Sequence, residues 1–342
     1  MSLIYQPQAE PSLNGLKAKP CQALKFLKRA SAVITKPAAL KQGDTIGIVA
    51  TSWVIKRETI EAGKTFLESK GFKVKVHPNN DMCHDELWGG DYKTRAAALH
   101  EYWADPEIKA IIATTGGLRC LNLLDYLDFD LLAKTPKIFS GFSDNTAIIN
   151  ALWHKRGVPS LHGPHVRSFV NDNKEKNFAD FLSVASGEKA TLQFESPQAF
   201  KNGTGEGHLI GGNLCLMNYL LGTEYAPSFK NAIVLIEDEM EEIRNIDRML
   251  MQLRRLGKLE EAAGLIIGNF TMISNTGTSG FPYSLDELIH EYTHDLDIPV
   301  VMTHSFGHGG RMMSLPVGIR AKLEVSDSKA SLSLLETYTG DK

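Results

Sequence analysis

Cysteine is scarce in this chain: 342 residues hold four, Cys21, Cys83, Cys120 and Cys215, and no two form a C-x-x-C pair. Such scatter excludes a disulfide framework and suits a reducing compartment, so a cytoplasmic location is expected. Long apolar runs are missing too. No stretch reaches the length needed to span a bilayer, and no membrane partner is expected. There is no large excess of charge of either sign: 37 Lys and Arg stand against 40 Asp and Glu, a net charge of -3. Nothing in that balance calls for nucleic acid or anionic lipid. Internal repeats and low-complexity tracts are absent as well. The first 36 residues hold no uninterrupted signal-peptide core, because Lys17, Lys19, Lys25, Lys28 and Arg29 break up the apolar positions. Residues 1–36 are therefore read as a loosely packed extension.

What is present is an ordinary globular composition, 43% hydrophobic and 23% charged. The length exceeds one typical core, so two domains are expected. Apolar runs at 46–50, 72–77, 108–114 and 137–142 predict strands, and the stretches between them predict helices at 57–69, 91–104 and around Leu121, Leu123 and Leu124. This alternation predicts a doubly wound parallel sheet over residues 37–165. Residues 166–206 are polar and glycine-rich and read as a linker with a short helix at 176–186. Residues 207–342 predict a mixed α/β domain that closes on a β-hairpin, 319–325 with 330–335, turning through Ser326-Asp327-Ser328. In parallel sheets ligands sit beyond the carboxyl ends of the strands, so chemistry is sought there.

Four strand ends carry suitable residues. Ser143 lies between the strand at 137–142 and a helix at 144–154, which would present its hydroxyl above a helix N-terminus. The frame departs from G-x-S-x-G, since Asn145 stands two residues past the serine. The alternative is that Ser143 or Asp144 merely caps the helix. Gly116 and Gly117 follow the strand at 108–114, where they can turn backbone N–H groups toward a ligand or simply permit a tight turn. Five acids fill 237–242. Most charge runs are solvated, but Glu237 directly follows a buried strand, while Asp238 could pair with Arg244 or Arg248. His308, between glycines, follows the strand at 299–303. Together they read as a Ser143–His308–Glu237 triad. His308 takes the serine proton, Glu237 orients the imidazole, and the amides of Gly117 and Asp144 meet the oxyanion, each worth roughly 3–4 kcal/mol in such sites.

Two other classes compete with that reading. A metallohydrolase could use His304 and His308 with Glu237 or Asp238, but their i, i+4 spacing suits zinc only on a helix, which Gly307, Gly309 and Gly310 oppose. A non-catalytic α/β ligand-binding protein would use the same cleft with no triad. Cys120, with no histidine near it in sequence, reads as a packing residue rather than a nucleophile.

The motifs also carry a resemblance. Gly-Asp-Thr-Ile-Gly-Ile-Val-Ala at 43–50, Trp88-Gly89-Gly90-Asp91 with Arg95, Thr115-Gly116-Gly117, Gly141-Phe142-Ser143-Asp144 and Gly163-Pro164 are joined by Leu209-Ile210-Gly211-Gly212-Asn213-Leu214, Ile236-Glu237-Asp238 with Asp247-Arg248, and Gly307-His308. In this order, over about residues 40–325, they resemble the LD-carboxypeptidase family of serine peptidases. The resemblance implies a nucleophile at Ser143, a triad completed by Glu237 and His308, an oxyanion hole at Gly117 and Asp144, and a homodimer. It implies no cofactor and no metal. Gly116, Leu118 and Asn213 are expected beside the substrate, a small peptide or peptidyl-nucleotide. The expected reaction is release of the terminal D-alanine from a murein tetrapeptide, with hydrolysis of aminoacyl-nucleotide amides, as in the microcin C immunity branch, as the alternative. Thr115-Gly116-Gly117-Leu118-Arg119 replaces the Arg-Gly-Gly-Tyr-Gly usual in the muramoyl branch and leans toward the immunity branch. Arg119-Cys120-Leu121, however, stands where that branch commonly has Asn-Ser-Asn.

Overall fold

Apolar residues alternate between the two faces of the first strands, and helices cover both. The structure is a computed structural model, and it describes residues 34–82, 89–188, 191–276 and 280–340. Cys21, Cys83, Trp88 and residues 1–33 of the expected extension lie outside these. The chain runs β1 (Thr45–Val49), α1 (Arg57–Ser69), β2 (Lys73–Val76), α2 (Tyr92–Ala104), β3 (Ile108–Ala113), α3 (Cys120–Leu123), α4 (Phe129–Lys134), β4 (Ile138–Gly141), α5 (Thr146–Arg156) and β5 (Ser160–His162). Strands β2, β1, β3, β4 and β5 lie side by side in that order, all parallel. Ile46, Ile48, Ala110, Ile112 and Ile138 face one core, while Val49, Ile111, Ala113 and Phe139 face the other. This is the pattern of a sheet buried on both sides.

The second half continues with α6 (Lys174–Ala185), β6 (Thr191–Gln193), β7 (Gln198–Lys201), β8 (Gly203–Asn213), α7 (Leu214–Leu220), β9 (Ala232–Glu239), α8 (Ile243–Arg255), β10 (Gly264–Thr271), α9 (Leu285–Thr293) and β11 (Val300–Gly307). It ends with β12 (Leu315–Val317), β13 (Arg320–Ser326) and β14 (Lys329–Leu334). Eight strands form the second sheet in the order β6-β14-β13-β8-β9-β10-β11-β7. The inner run β8-β9-β10-β11 is parallel and the flanking strands are antiparallel. The expected α/β class, with a doubly wound sheet followed by a mixed sheet and a terminal hairpin, is what the chain forms.

Two features differ from expectation. Residues 166–206 are not a linker. They hold α6, both edge strands of the second sheet, and the start of β8. Their glycines misled because they serve close packing rather than a loop. A Cβ on Gly205 would lie 1.8 Å from the Ala263 carbonyl oxygen, and one on Gly207 would lie 2.1 Å from that of Asn231. The first sheet also has a sixth strand. β12 leaves the second half and pairs antiparallel with β5, Leu315 opposite His162.

Helix α6 covers the face of the first sheet that α1 shares. Phe178 and Phe181 join Phe169 and Phe66 in an aromatic group whose ring centroids lie 5.7–6.3 Å apart. Phe181 is fully buried in the same core as Ile46 and Ile112. Phe181→Ala should therefore destabilise the protein by about 3–5 kcal/mol, the usual cost of emptying a buried aromatic position. Urea unfolding measures it, and a loss below about 1 kcal/mol would mean that α6 is only a surface attachment.

Candidate active site

Ser143 is the first residue of a 3₁₀ turn, Ser143–Asn145, that joins β4 to α5. Its φ is 60°, a left-handed conformation that costs a non-glycine residue free energy. A sharp strand–turn–helix junction of this kind pushes a side chain out beyond the sheet. Capping does not explain it: no side chain caps this turn or α5. The Asp144 carboxylate instead accepts Ser52 Oγ at 2.6 Å and the Cys120 amide at 2.9 Å. Asn145 Nδ2 donates to the Thr115 carbonyl at 3.1 Å and the Phe142 carbonyl at 3.2 Å, while its Oδ1 accepts from Thr51 Oγ1. Arg95, fully buried, donates to the Thr51 carbonyl at 2.8 Å. The loops after β1, β3 and β4 are thus stitched together beneath the serine. Burial, outweighing these hydrogen bonds, raises the Asp144 carboxyl above its ordinary range. Burial likewise pushes the Cys120 thiol far up, which leaves it an inert packing group as expected.

Gly116 presses against Ser143. A Cβ there would stand 2.6 Å from Ser143 Cβ and 2.7 Å from Oγ. Gly117, with φ 137°, packs against the Trp53 indole, and a Cβ on Gly116 would lie 3.6 Å from the Asp144 amide nitrogen. Leu118 is 56% exposed at the rim, and its carbonyl accepts Ser52 Oγ at 3.0 Å.

Glu237 and His308 come from the second sheet. Glu237 lies on β9, wholly buried, and His308 follows directly on β11. His308 Nδ1 is 2.6 Å from Glu237 Oε2, and the His308 amide donates to the same oxygen at 3.2 Å. Gly307 permits this approach: its φ is 92°, and a Cβ would fall 2.9 Å from Glu237 Cβ. Burial disfavours the charged imidazole, but the Glu237 charge, its hydrogen bond and Glu239 outweigh it and raise the His308 pKa above the ordinary value. Burial alone would raise Glu237, yet His308 wins and holds it below the usual carboxylate range. The His308 ring packs edge-on against Phe142, 5.0 Å between centroids, beside the residue that precedes Ser143. His165 stacks on the same Phe142 ring at 4.3 Å, and His162 packs against Phe306. Burial pushes their pKa values down to about 3 and about 4, so both stay neutral.

One link of the expected triad is open. Among the described residues no group hydrogen-bonds the Ser143 hydroxyl, and His308 Nε2 instead faces Glu239 Oε2 at 3.4 Å. Glu239 was missed in the sequence because the acidic run read as solvated. Its signal was there: Glu237 and Glu239 are two apart on one strand and so share a face. The loop after His308 is held from the segment read as a linker. Asn177 of α6 donates to the Gly310 carbonyl at 3.1 Å and accepts the Met312 amide at 2.8 Å.

The remaining expected residues do other work. Asn213, 5% exposed, caps α7 through Leu216 N at 3.0 Å and donates to Asp238 Oδ1 at 2.7 Å. Asp238 also accepts the Cys215 amide at 3.0 Å, in place of an arginine, and burial pushes it up to about 7. Arg244 pairs with Glu242 at 3.5 Å, and Arg248 bonds Asn245 at 3.3 Å. His304 bonds Asn269 through Nδ1 at 2.7 Å. Among the described residues, no three His, Cys, Asp or Glu side chains group as metal ligands.

Comparison with known proteins joins both halves of this site. Residues 46–163 match the model of the LD-carboxypeptidase N-terminal domain, and residues 206–323 match that of the C-terminal domain. The chain is 33% identical to a putative carboxypeptidase, YocD, of Bacillus subtilis, over 83% of this chain and 94% of that one. It is 31% identical to a probable murein peptide carboxypeptidase of the same organism, over 86% and 93%. A solved MccF-like protein of Bacillus anthracis superposes with a TM-score of 0.78 at 27% identity, covering 88% of this chain and 99% of the other.

Gly116→Ala should cost at least about 100-fold in the rate of reaction at Ser143, the scale of a 1 Å misplacement in a reactive pair. The added Cβ also crowds Ser143 Cβ, so some stability should be lost, and the melting temperature is measured beside the rate to show that the variant is folded. A serine-directed covalent probe read by mass spectrometry tests this, and an unchanged labelling rate would show the hydroxyl is not confined there.

Proposed function

Because the chain belongs to the LD-carboxypeptidase family, we propose that it is a serine hydrolase that removes the terminal D-alanine from a murein tetrapeptide. The observation that carries this reading is the strained Ser143 at the end of β4, directly after Phe142, whose ring packs on a histidine already locked onto a buried carboxylate. In the reaction Nε2 turns from Glu239 to the serine. Ser143 Oγ attacks the amide carbonyl carbon, and Nε2 takes the hydroxyl proton. Glu237 holds the imidazolium through Nδ1. The amides of Gly117 and Asp144 meet the oxygen as it gains charge. Collapse breaks the C–N bond, and Nε2 gives its proton to the departing amine of D-alanine. Water, deprotonated by the same nitrogen, then frees the acyl group and restores Ser143. In this reading the enzyme works in the cytoplasm on murein fragments being recycled, as a homodimer. The scattered cysteines, with no C-x-x-C pair among them, suit that compartment.

A second reading rests on one observation. Thr115-Gly116-Gly117-Leu118 puts an exposed leucine at the oxyanion loop, the departure that leans toward the immunity branch, and the MccF-like protein shares the fold. Under it the scissile bond is an aminoacyl-nucleotide amide and the same groups act in the same order. A panel holding both substrate classes, assayed for D-alanine and for nucleotide, separates the two.

Ser143→Ala should abolish turnover while thermal unfolding stays unchanged, and turnover surviving in that variant would remove the nucleophile.

The pH profile is a separate check. His308 must be neutral to accept a proton. Around it stand Glu237, Asp238 and Glu239 on β9 and the neutral His162 and His165. Its raised pKa places the acid-side midpoint of kcat/KM above the ordinary imidazole value of about 6.5. Glu237→Gln removes the largest raising charge, so the midpoint should move to lower pH as the rate falls. A midpoint that stays put would mean that another group titrates.

A further inference from the structure

Four of the five acids after Ile236 have firm partners. Glu237 holds His308. Asp238 accepts Asn213 Nδ2 and two backbone amides. Glu241 accepts Asn245 Nδ2 at 3.0 Å, and Glu242 accepts Ser274 Oγ at 2.9 Å and pairs with Arg244. Glu239 is different. Its Oε1 takes only a long hydrogen bond from Thr271 Oγ1, 3.4 Å, and its Oε2 stands 3.4 Å from His308 Nε2. Among the described residues no lysine or arginine pairs with it, and its side chain is 34% exposed. It ends β9, opposite Thr271 on β10. The carboxylate therefore stands beside His308, open to solvent and weakly held, with Glu237 adding negative charge on the same face of β9.

We propose that Glu239 recognises a protonated amine on the acyl part of the substrate, and that binding this amine releases His308 Nε2 to Ser143. The proposal rests on the serine hydrolase reading with an aminoacyl-nucleotide amide as substrate, because in a tetrapeptide the nitrogen on the carbon next to the scissile carbonyl is already in a peptide bond. The nitrogen that Glu239 occupies is the one that must reach the serine, so a group displacing the carboxylate lies within a few bonds of the scissile carbonyl. An ammonium is suited to this. It offers three donors to a carboxylate that has no cation of its own. An acyl group without charge leaves Glu239 facing the imidazole. Glu239 thus selects substrates by an ion pair and couples that choice to assembly of the triad.

Two diphenyl phosphonates test the inference, one carrying a free amine on the carbon next to phosphorus and the other its N-acetyl counterpart. In both, Ser143 Oγ attacks phosphorus, the O–P bond forms, phenoxide leaves, and the serine proton passes through His308 to the phenoxide. Mass spectrometry reads the rate at Ser143. In the wild type the amine probe should label roughly tenfold faster, the scale of a hydrogen bond to a charged group. In E239Q the acetylated probe should speed up, the amine probe should slow down, and the two rates should converge. Glu241→Gln removes an equal charge four residues from Glu237 and should keep the wild-type preference. Melting temperatures of both variants confirm the fold. An undiminished preference in E239Q overturns the inference while leaving the triad intact. Folded wild-type protein labelled by neither probe removes the triad itself, and the inference with it.

Discussion

A buried carboxylate holding one imidazole is the constraint on which the site depends. Glu237 has no solvent contact, and its charge is tolerable only because His308 meets it at 2.6 Å through the ring and again through the backbone. The need for that contact reaches outward. It demands Gly307 beside the carboxylate, the parallel pairing of β9, β10 and β11, and a loop past His308 clamped by Asn177. Losing either partner would strand a charge or an unmet polar atom in a dry interior. The pair is a single unit, in which the acid fixes the tautomer and keeps the base more readily protonated.

Ser143 is held by a different device. Strain at Ser143 persists because its neighbours are fixed from three directions: Asp144 through Ser52 and Cys120, Asn145 through Thr51 and Thr115, and Thr51 through Arg95. The first sheet therefore holds Ser143 in place, and the second holds the His308–Glu237 pair. Phe142, packed against the His308 ring, is one of the places where the two meet.

The sequence reveals strand ends far better than it reveals what crosses between them. Ser143, Glu237 and His308 were legible because each follows a buried apolar run, and in parallel sheets that position is where chemistry collects. The capping alternative for Asp144 could be set aside only with coordinates, since its partners Ser52 and Cys120 lie 92 and 24 residues away. Asn213 looked like a substrate ligand in its glycine-rich motif, yet both ends of its amide are spent on α7 and Asp238. Gly203, Gly205 and Gly207 suggested a loop, because composition cannot separate flexibility from a neighbouring carbonyl lying against the strand. Strands of three residues, such as β5, β6 and β12, leave too little periodicity to read.

The antiparallel pairing of β12 with β5 bears on how the chain is made. During synthesis the first five strands can assemble early, but the outer backbone of β5 stays uncovered until residues 315–317 emerge. Until then that margin is an open template for another chain. The sheet that carries Ser143 is thus sealed only after the chain from α6 to β11 has been made.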